Sequence, residues 1–335
     1  MSMGWVVSTG ACGPLGLNSL QVAMNARAGL AFARPSPFRD RRGGTVGLGM
    51  MGGLGEDRHG YDRMLGLAAP ALREALGSGS RPDLPLVVAV PERGRPDDDP
   101  RFDGALITDL ARAAGVSLEL GRSAIVRAGH AGGALALDQA RGLLAAGAPG
   151  VVVGGVDSYH HPEVVRWLDE GYRLHASGAE DGFIPGEGAA FCVLHGEPRA
   201  APSAAAPLAR LRHVGYGAEG SVTSGEPNLA QAMTTMLRAL KESSGPIEWA
   251  ISDVNGERHR LREWSMLVFR ELFAEEVADQ RMPSLIGDVG AATAASCLAY
   301  ACVLWRVGAA PASRCAIALH SEGSERGVVG LEAAS

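Results

Sequence analysis

Gly129-His130-Ala131-Gly132-Gly133-Ala134 and Gly287-Asp288-Val289-Gly290-Ala291-Ala292 repeat one pattern, glycine-polar-x-glycine followed by small residues. Each follows a short apolar run and opens a stretch of small residues suited to a buried helix. Seen twice, the pattern marks a duplicated strand–turn–helix unit. One polar side chain falls at the mouth of each helix, His130 in the first copy and Asp288 in the second. A helix mouth presents outward-pointing N–H groups and the positive end of the dipole, which suits a nucleophile or an oxyanion. The residues at those two positions therefore decide what the chain can do.

Working outward, the first copy lies between a short strand at 123–126 and the apolar run Val151-Val152-Val153-Gly154-Gly155, which reads as a strand buried on both faces. The second lies before a matching strand at 314–319. Upstream, residues 5–8 read as a first strand, Asn18 as the cap of a helix to about residue 28, and 31–60 as loop. Residues 62–76 form an amphipathic helix with Leu65, Ala68, Leu72 and Leu76 on one face. A buried strand follows at 84–90. The segment 93–103 carries three consecutive aspartates among prolines and reads as a solvated loop, followed by a helix at 104–114.

The Pro- and Ala-rich segment 196–207 reads as a linker between an N-terminal half, 1–195, and a C-terminal half, 208–335. In the second half the pattern predicts strands at 209–217 and 249–254, helices at 229–242 and 261–278, and the second small-residue helix at about 291–307. Alternating strands and helices point to parallel sheets with helices on their faces.

Bulk properties fit this reading. The chain has 335 residues, enough for two packed halves with ample core. Apolar residues make up 46%, charged residues 20% and aromatics only 5%, so the close-packed layers are built largely from alanine and glycine. A net charge of −6 gives no reason to expect nucleic acid or an anionic membrane as partner. Cys12, Cys192, Cys297, Cys302 and Cys315 have no paired or ligand-like spacing and read as buried small hydrophobes in a reducing compartment. The N-terminal residues lack a signal-peptide pattern, and no apolar run approaches a membrane span, which predicts a soluble, cytoplasmic protein. No cofactor or metal motif is read.

Several motifs resemble β-ketoacyl synthases of the thiolase superfamily. The turn Thr9-Gly10 to Pro14-Leu15-Gly16 is similar to the family's opening turn, and residues 128–155 resemble its nucleophile segment. Asp181-Gly182-Phe183-Ile184-Pro185-Gly186-Glu187-Gly188-Ala189 resembles the family's Asp-Gly-Phe-x-x-Gly-Glu-Gly-Ala most closely. The resemblance covers most of the chain, which is shorter than typical ketosynthases. It implies an α/β thiolase-like fold: two duplicated halves in five layers, α-β-α-β-α, with the active site where they meet. It also implies a dimer through the edge strand near 124–127, with itself or with a ketosynthase-like subunit, and an acyl carrier protein as a possible partner.

The same resemblance places unexpected residues at the catalytic positions. His130 stands where the family has its nucleophilic cysteine, Glu257 where it has one histidine, and Asp288 where it has the other, with Gly287 as the alternative register. Pro283 replaces the family lysine, and Leu319-His320-Ser321-Glu322-Gly323-Ser324 replaces the C-terminal Gly-Phe-Gly-Gly turn. Without a thiolate there is no acyl-enzyme, and carboxylates repel an oxyanion. One reading is a partner or scaffold subunit that has lost condensing activity. The other is an enzyme of altered chemistry, an acyltransferase or hydrolase using His130, Glu257 and Asp288, with a metal as one branch. Phe183, His259 and His320 are candidate pocket residues. Glu187 reads as a core carboxylate, His160-His161 as surface loop, and Arg258-His259-Arg260 as a solvated helix start.

Overall fold

A computed structural model describes residues 4–77, 83–176, 179, 181–197 and 206–334. Most of the expected linker 196–207 lies outside the described residues. In chain order the strands are β1 (Trp5–Cys12), β2 (Arg34–Arg39), β3 (Thr45–Leu48), β4 (Leu86–Ala89), β5 (Ala124–Val126) and β6 (Val151–Ser158). They continue with β7 (Glu187–His195), β8 (Ala209–Ala218), β9 (Ile247–Ser252), β10 (Phe273–Arg281), β11 (Arg314–His320) and β12 (Glu325–Ala333). Ten of them form one sheet in the order β10-β9-β11-β12-β8-β1-β7-β6-β4-β5. Read outward from the β1/β8 junction, each half runs first, fifth, fourth, second, third strand. The junction itself is narrow: Trp5 pairs with Arg210 and Val6 with Ala209.

Helices Gly132–Ala145 and Thr293–Arg306 lie between the halves. The first packs on β4 and β6 and also on β8 and β12; the second packs on β6, β7 and β11. Helix Gly60–Leu76 covers the outer face of β1, β6 and β7, and Gln231–Ser244 covers that of β8 and β12. The result is five layers with two small-residue helices at the centre. Their closeness explains the composition. A Cβ at Gly133 would lie 2.2 Å from the Cβ of Ala294, the second residue of the facing helix. No larger pair fits this crossing.

The structure departs from the sequence expectations in several places. The sheet is mixed: β4, β5 and β6 are parallel, as are β9, β10 and β11, but β1, β7, β8 and β12 run antiparallel to their neighbours. Only four residues separate β11 from β12, and so short a turn joins only antiparallel strands. Residues 31–60 contain the β2–β3 hairpin rather than loop alone. The helix expected at 261–278 is Arg258–Phe269; the chain turns at Glu271, φ +52°, and returns as the edge strand β10. That turn uses neither glycine nor proline, so nothing local announces it.

A further departure concerns the internal repeat. Gly129, φ +55°, opens the 3₁₀ turn Gly129–Ala131, and its counterpart is Gly290, φ +49°, which opens Gly290–Ala292. Left-handed φ selects glycine at both positions. Gly287 also has positive φ, +84°, and the sequence pattern aligned on it. The true correspondence is offset by three residues: His130 lies inside its turn, whereas Asp288 lies two residues ahead of its own.

Candidate functional site

The two helix mouths meet between the halves, and there His130 Nε2 lies 2.7 Å from Asp288 Oδ1. Both residues are buried, His130 at 2% exposure and Asp288 at 0%. The N–H of Gly290 donates to Asp288 Oδ1 at 2.9 Å, and Asn255 Nδ2 donates to Oδ2 at 2.6 Å, so both carboxylate oxygens are held. Burial works against charge on either partner. For Asp288 the adjacent His130 outweighs it, with Arg260 and Asn255 adding to the effect, and the carboxyl is held well below its ordinary range. For His130 burial lowers the pKa, but the Asp288 carboxylate more than offsets it and the net shift is upward. Each shift thus favours charge on both members of the pair, and the cause is their mutual attraction across 2.7 Å.

Asn255 links this pair to Glu257, donating to Oε2 at 3.1 Å. Glu257 is clamped by Arg173, with Nε–Oε1 at 2.6 Å and Nη2–Oε2 at 3.0 Å. Arg173 also pairs with Glu322. Arg260, fully buried, donates to Asp253 Oδ2 at 2.9 Å and to the carbonyl of His320 at 2.6 Å, and reaches Glu322 at 3.3 Å. Burial would raise the Asp253 pKa, but His320 and Arg260 bring it down to about 2. The N–H groups at the mouths are also taken: Ala131 N donates to Ser321 Oγ and Ala291 N to Asp157 Oδ2, both at 2.9 Å.

A cavity of about 120 Å³ opens beside His130, lined by Glu92, Arg95, Gly129, Asp157, Tyr159 and Glu322 among others. Of His130, Glu257, Asp288, Phe183, His259 and His320, His130 alone lines it. Asp288 stands behind His130, and Glu257 joins the same network through Asn255 but is bound to Arg173. Phe183 is buried in a separate cluster, edge-on to Tyr159. His320 is buried with Nδ1 2.7 Å from Asp253 Oδ1, and His259 is exposed at the start of its helix. Among the described residues no group of three His, Cys, Asp or Glu side chains is arranged to hold a metal ion.

Three surface assignments are corrected. Arg260 is buried rather than solvated, because Asp253 at the end of β9 draws it inward. His160 is buried, stacked on His59. In the acidic loop, Asp97 is buried against Arg95, which also reaches Asp157 at 2.7 Å. Glu187 is a core carboxylate, bound by Arg63 at 2.5 and 2.7 Å. Sequence reasoning passed over Arg173 and Glu92 and left Arg95 in a solvated loop: all three lie in loops, and only the chain's return brings them to the site.

The mixed α/β fold matches the thiolase-like fold of solved ketosynthases. Over 99% of its length the chain is similar to a ketosynthase from module 6 of the bacillaene synthase of Bacillus subtilis 168, with TM-score 0.77, 13% identity and 72% of that chain covered. It is similar to the ishigamide ketosynthase/chain length factor, with TM-score 0.77, 18% identity and 99% of each chain covered. It is also similar to a type II PKS ketosynthase complex with its acyl-carrier protein, AntDE:AntF, with TM-score 0.80, 16% identity and 99% of each chain covered. At these identities the likeness is one of fold. No protein-family profile and no curated protein sequence matches the chain. Among the described residues no helix is long and apolar enough to cross a membrane.

Proposed function

We propose that this protein keeps the ketosynthase architecture without the condensing chemistry and acts as a binding or partner subunit. The observation that carries this is the His130–Asp288 pair: the position suited to a nucleophile holds an imidazole whose Nε2 is committed to a buried carboxylate. No thiolate replaces it. All five cysteines are buried, and burial pushes the thiols of Cys12 and Cys192 up to about 12 and those of Cys297, Cys302 and Cys315 well above the ordinary range. The cavity is also smaller than the roughly 300–1,000 Å³ of ordinary ligand pockets. Partnership is supported by the neighbours, one a ketosynthase/chain length factor and one a ketosynthase with its acyl-carrier protein. The partner surface in this reading is the edge strand β5, in a homodimer or with a ketosynthase-like subunit in the cytoplasm.

The test is incubation with acyl- and malonyl-carrier-protein substrates, read by intact mass. The expected result is no acyl adduct and no condensed product, with no cysteine labelled by iodoacetamide until denaturant is added. Condensation, or a covalent acyl adduct on the folded protein, would overturn the proposal.

A second reading rests on the same histidine. His130 faces a cavity and is oriented by a carboxylate, the arrangement of a general base. Hydrolysis of a small acyl thioester that is abolished in His130→Ala would favour it; equal rates in both proteins would remove it.

A further inference from the structure

The charges around the cavity do not balance. Arg95 is one guanidinium shared between two carboxyl groups, Asp97 at 2.6 Å and Asp157 at 2.7 Å. His130 is matched by Asp288, and Arg93 at the rim by Asp103 at 2.7 Å. Glu322 is held by Arg173 and Arg260. Glu92 is left. Its Oε1 accepts the N–H of Glu322 at 3.1 Å, and among the described residues no arginine, lysine or histidine forms an ion pair with it. Its side chain lies against Gly129, where a Cβ would come within 2.2 Å of Oε1, so the glycine leaves room for this carboxyl beside His130.

Tyr159 and Trp167 supply aromatic walls, and each already stands in stacking range of a guanidinium, Arg95 at 5.1 Å and Arg173 at 5.5 Å. The site thus combines a carboxyl with no ion-pair partner among the described residues, a guanidinium already shared by two carboxyl groups, and π surfaces, a combination that favours a positive ligand. We propose that the cavity beside His130 binds a compact organic ammonium ion, with Glu92 as its counter-ion. A volume of about 120 Å³ admits about five or six heavy atoms, on the scale of the ~150 Å³ cavity that accepts benzene. Burial, only partly offset by the Glu322 N–H and by His130, raises the Glu92 pKa. Binding of a cation therefore weakens as the pH falls and Glu92 takes up a proton.

The proposal does not depend on whether condensing activity has been lost, and its test is separate. n-Butylammonium and its neutral analogue n-butanol are titrated into the full chain at constant ionic strength, followed by calorimetry and ligand-observed NMR. The expected result is saturable binding of n-butylammonium and none of n-butanol. Affinity falls about tenfold or more in Glu92→Gln, is unchanged in Asp138→Asn at a surface pair with Arg141, and weakens toward acid pH. Equal binding of n-butanol, no binding of n-butylammonium, or full affinity in a folded Glu92→Gln protein would each overturn it. The comparison of the two ligands on the unaltered protein stands even if that variant does not fold.

Discussion

Asp288→Asn is the sharpest single perturbation of the central pair. Asparagine keeps the shape but has one oxygen where the carboxylate has two. It can accept from His130 and Gly290, or from Asn255, but not from both sides, because its amide nitrogen then faces another donor. Breaking one partner of a buried ion pair costs about 3–5 kcal/mol, and the surviving hydrogen bond places this variant near 3 kcal/mol. The pH dependence has a definite sign. Asp288 is depressed below its ordinary 3.8, so its contribution is present above that value and is lost as the pH falls through the folded-state pKa. His130 is raised above its ordinary 6.5, so its contribution is present below 6.5 and is lost as the pH rises through the folded-state pKa.

The destabilisation by Asp288→Asn is therefore largest between about pH 4 and 6.5 and smaller at pH 8. In the variant, burial and Arg260 act on His130 without Asp288 to oppose them and with only Asp253 still pushing upward, so its pKa falls relative to the unaltered protein. Urea denaturation at pH 5 and pH 8, with histidine Cε1–H resonances followed by NMR, measures both quantities. A variant that loses less than about 1 kcal/mol at pH 5 while His130 titrates as in the unaltered protein would refute the buried pair.

Two further outcomes follow from packing. Gly133→Ala places a methyl 2.2 Å from that of Ala294 and should destabilise the protein by about 1–3 kcal/mol in thermal or urea unfolding, while Gly133→Ala combined with Ala294→Gly should recover much of the loss. Arg63→Met leaves Glu187 buried without its cation, with only Ser158 Oγ and Met51 N donating to it, and should cost about 3–5 kcal/mol; adding Glu187→Gln should restore part of it, as read from urea midpoints.

Much of the fold was legible because its signals are local. The capping side chain of Asn18 accepts from Gln21 N as its position implied, and the apolar run at 151–155 is a strand buried along its whole length. Small residues after each glycine turn do form the two central helices. What failed depended on partners distant in sequence. The edge strand β10 has mixed exposure and no turn signal before it, and β12 was missed because a strand buried on both faces needs no alternation. The polar residues were harder still. Arg260 and Asp97 carry the surface character of their types, and only Asp253 and Arg95, which meet them in the folded chain, explain their burial.

By itself the sequence determined that the chain is an α/β protein carrying a repeated glycine turn followed by a small-residue helix, because glycine at left-handed φ and small residues in a packed helix are requirements of a few neighbouring atoms. It also determined that a histidine and an aspartate stand near those turns. Tertiary structure alone decided what these residues do. It set the repeat three residues off the apparent alignment, so that Asp288 reaches back to His130 instead of facing it as a twin. It turned Glu257 toward Arg173, and among the described residues it left Glu92 at the cavity wall without an ion pair. Charge pairing is decided by distances of a few ångströms between segments far apart in the chain, and no local pattern encodes those distances.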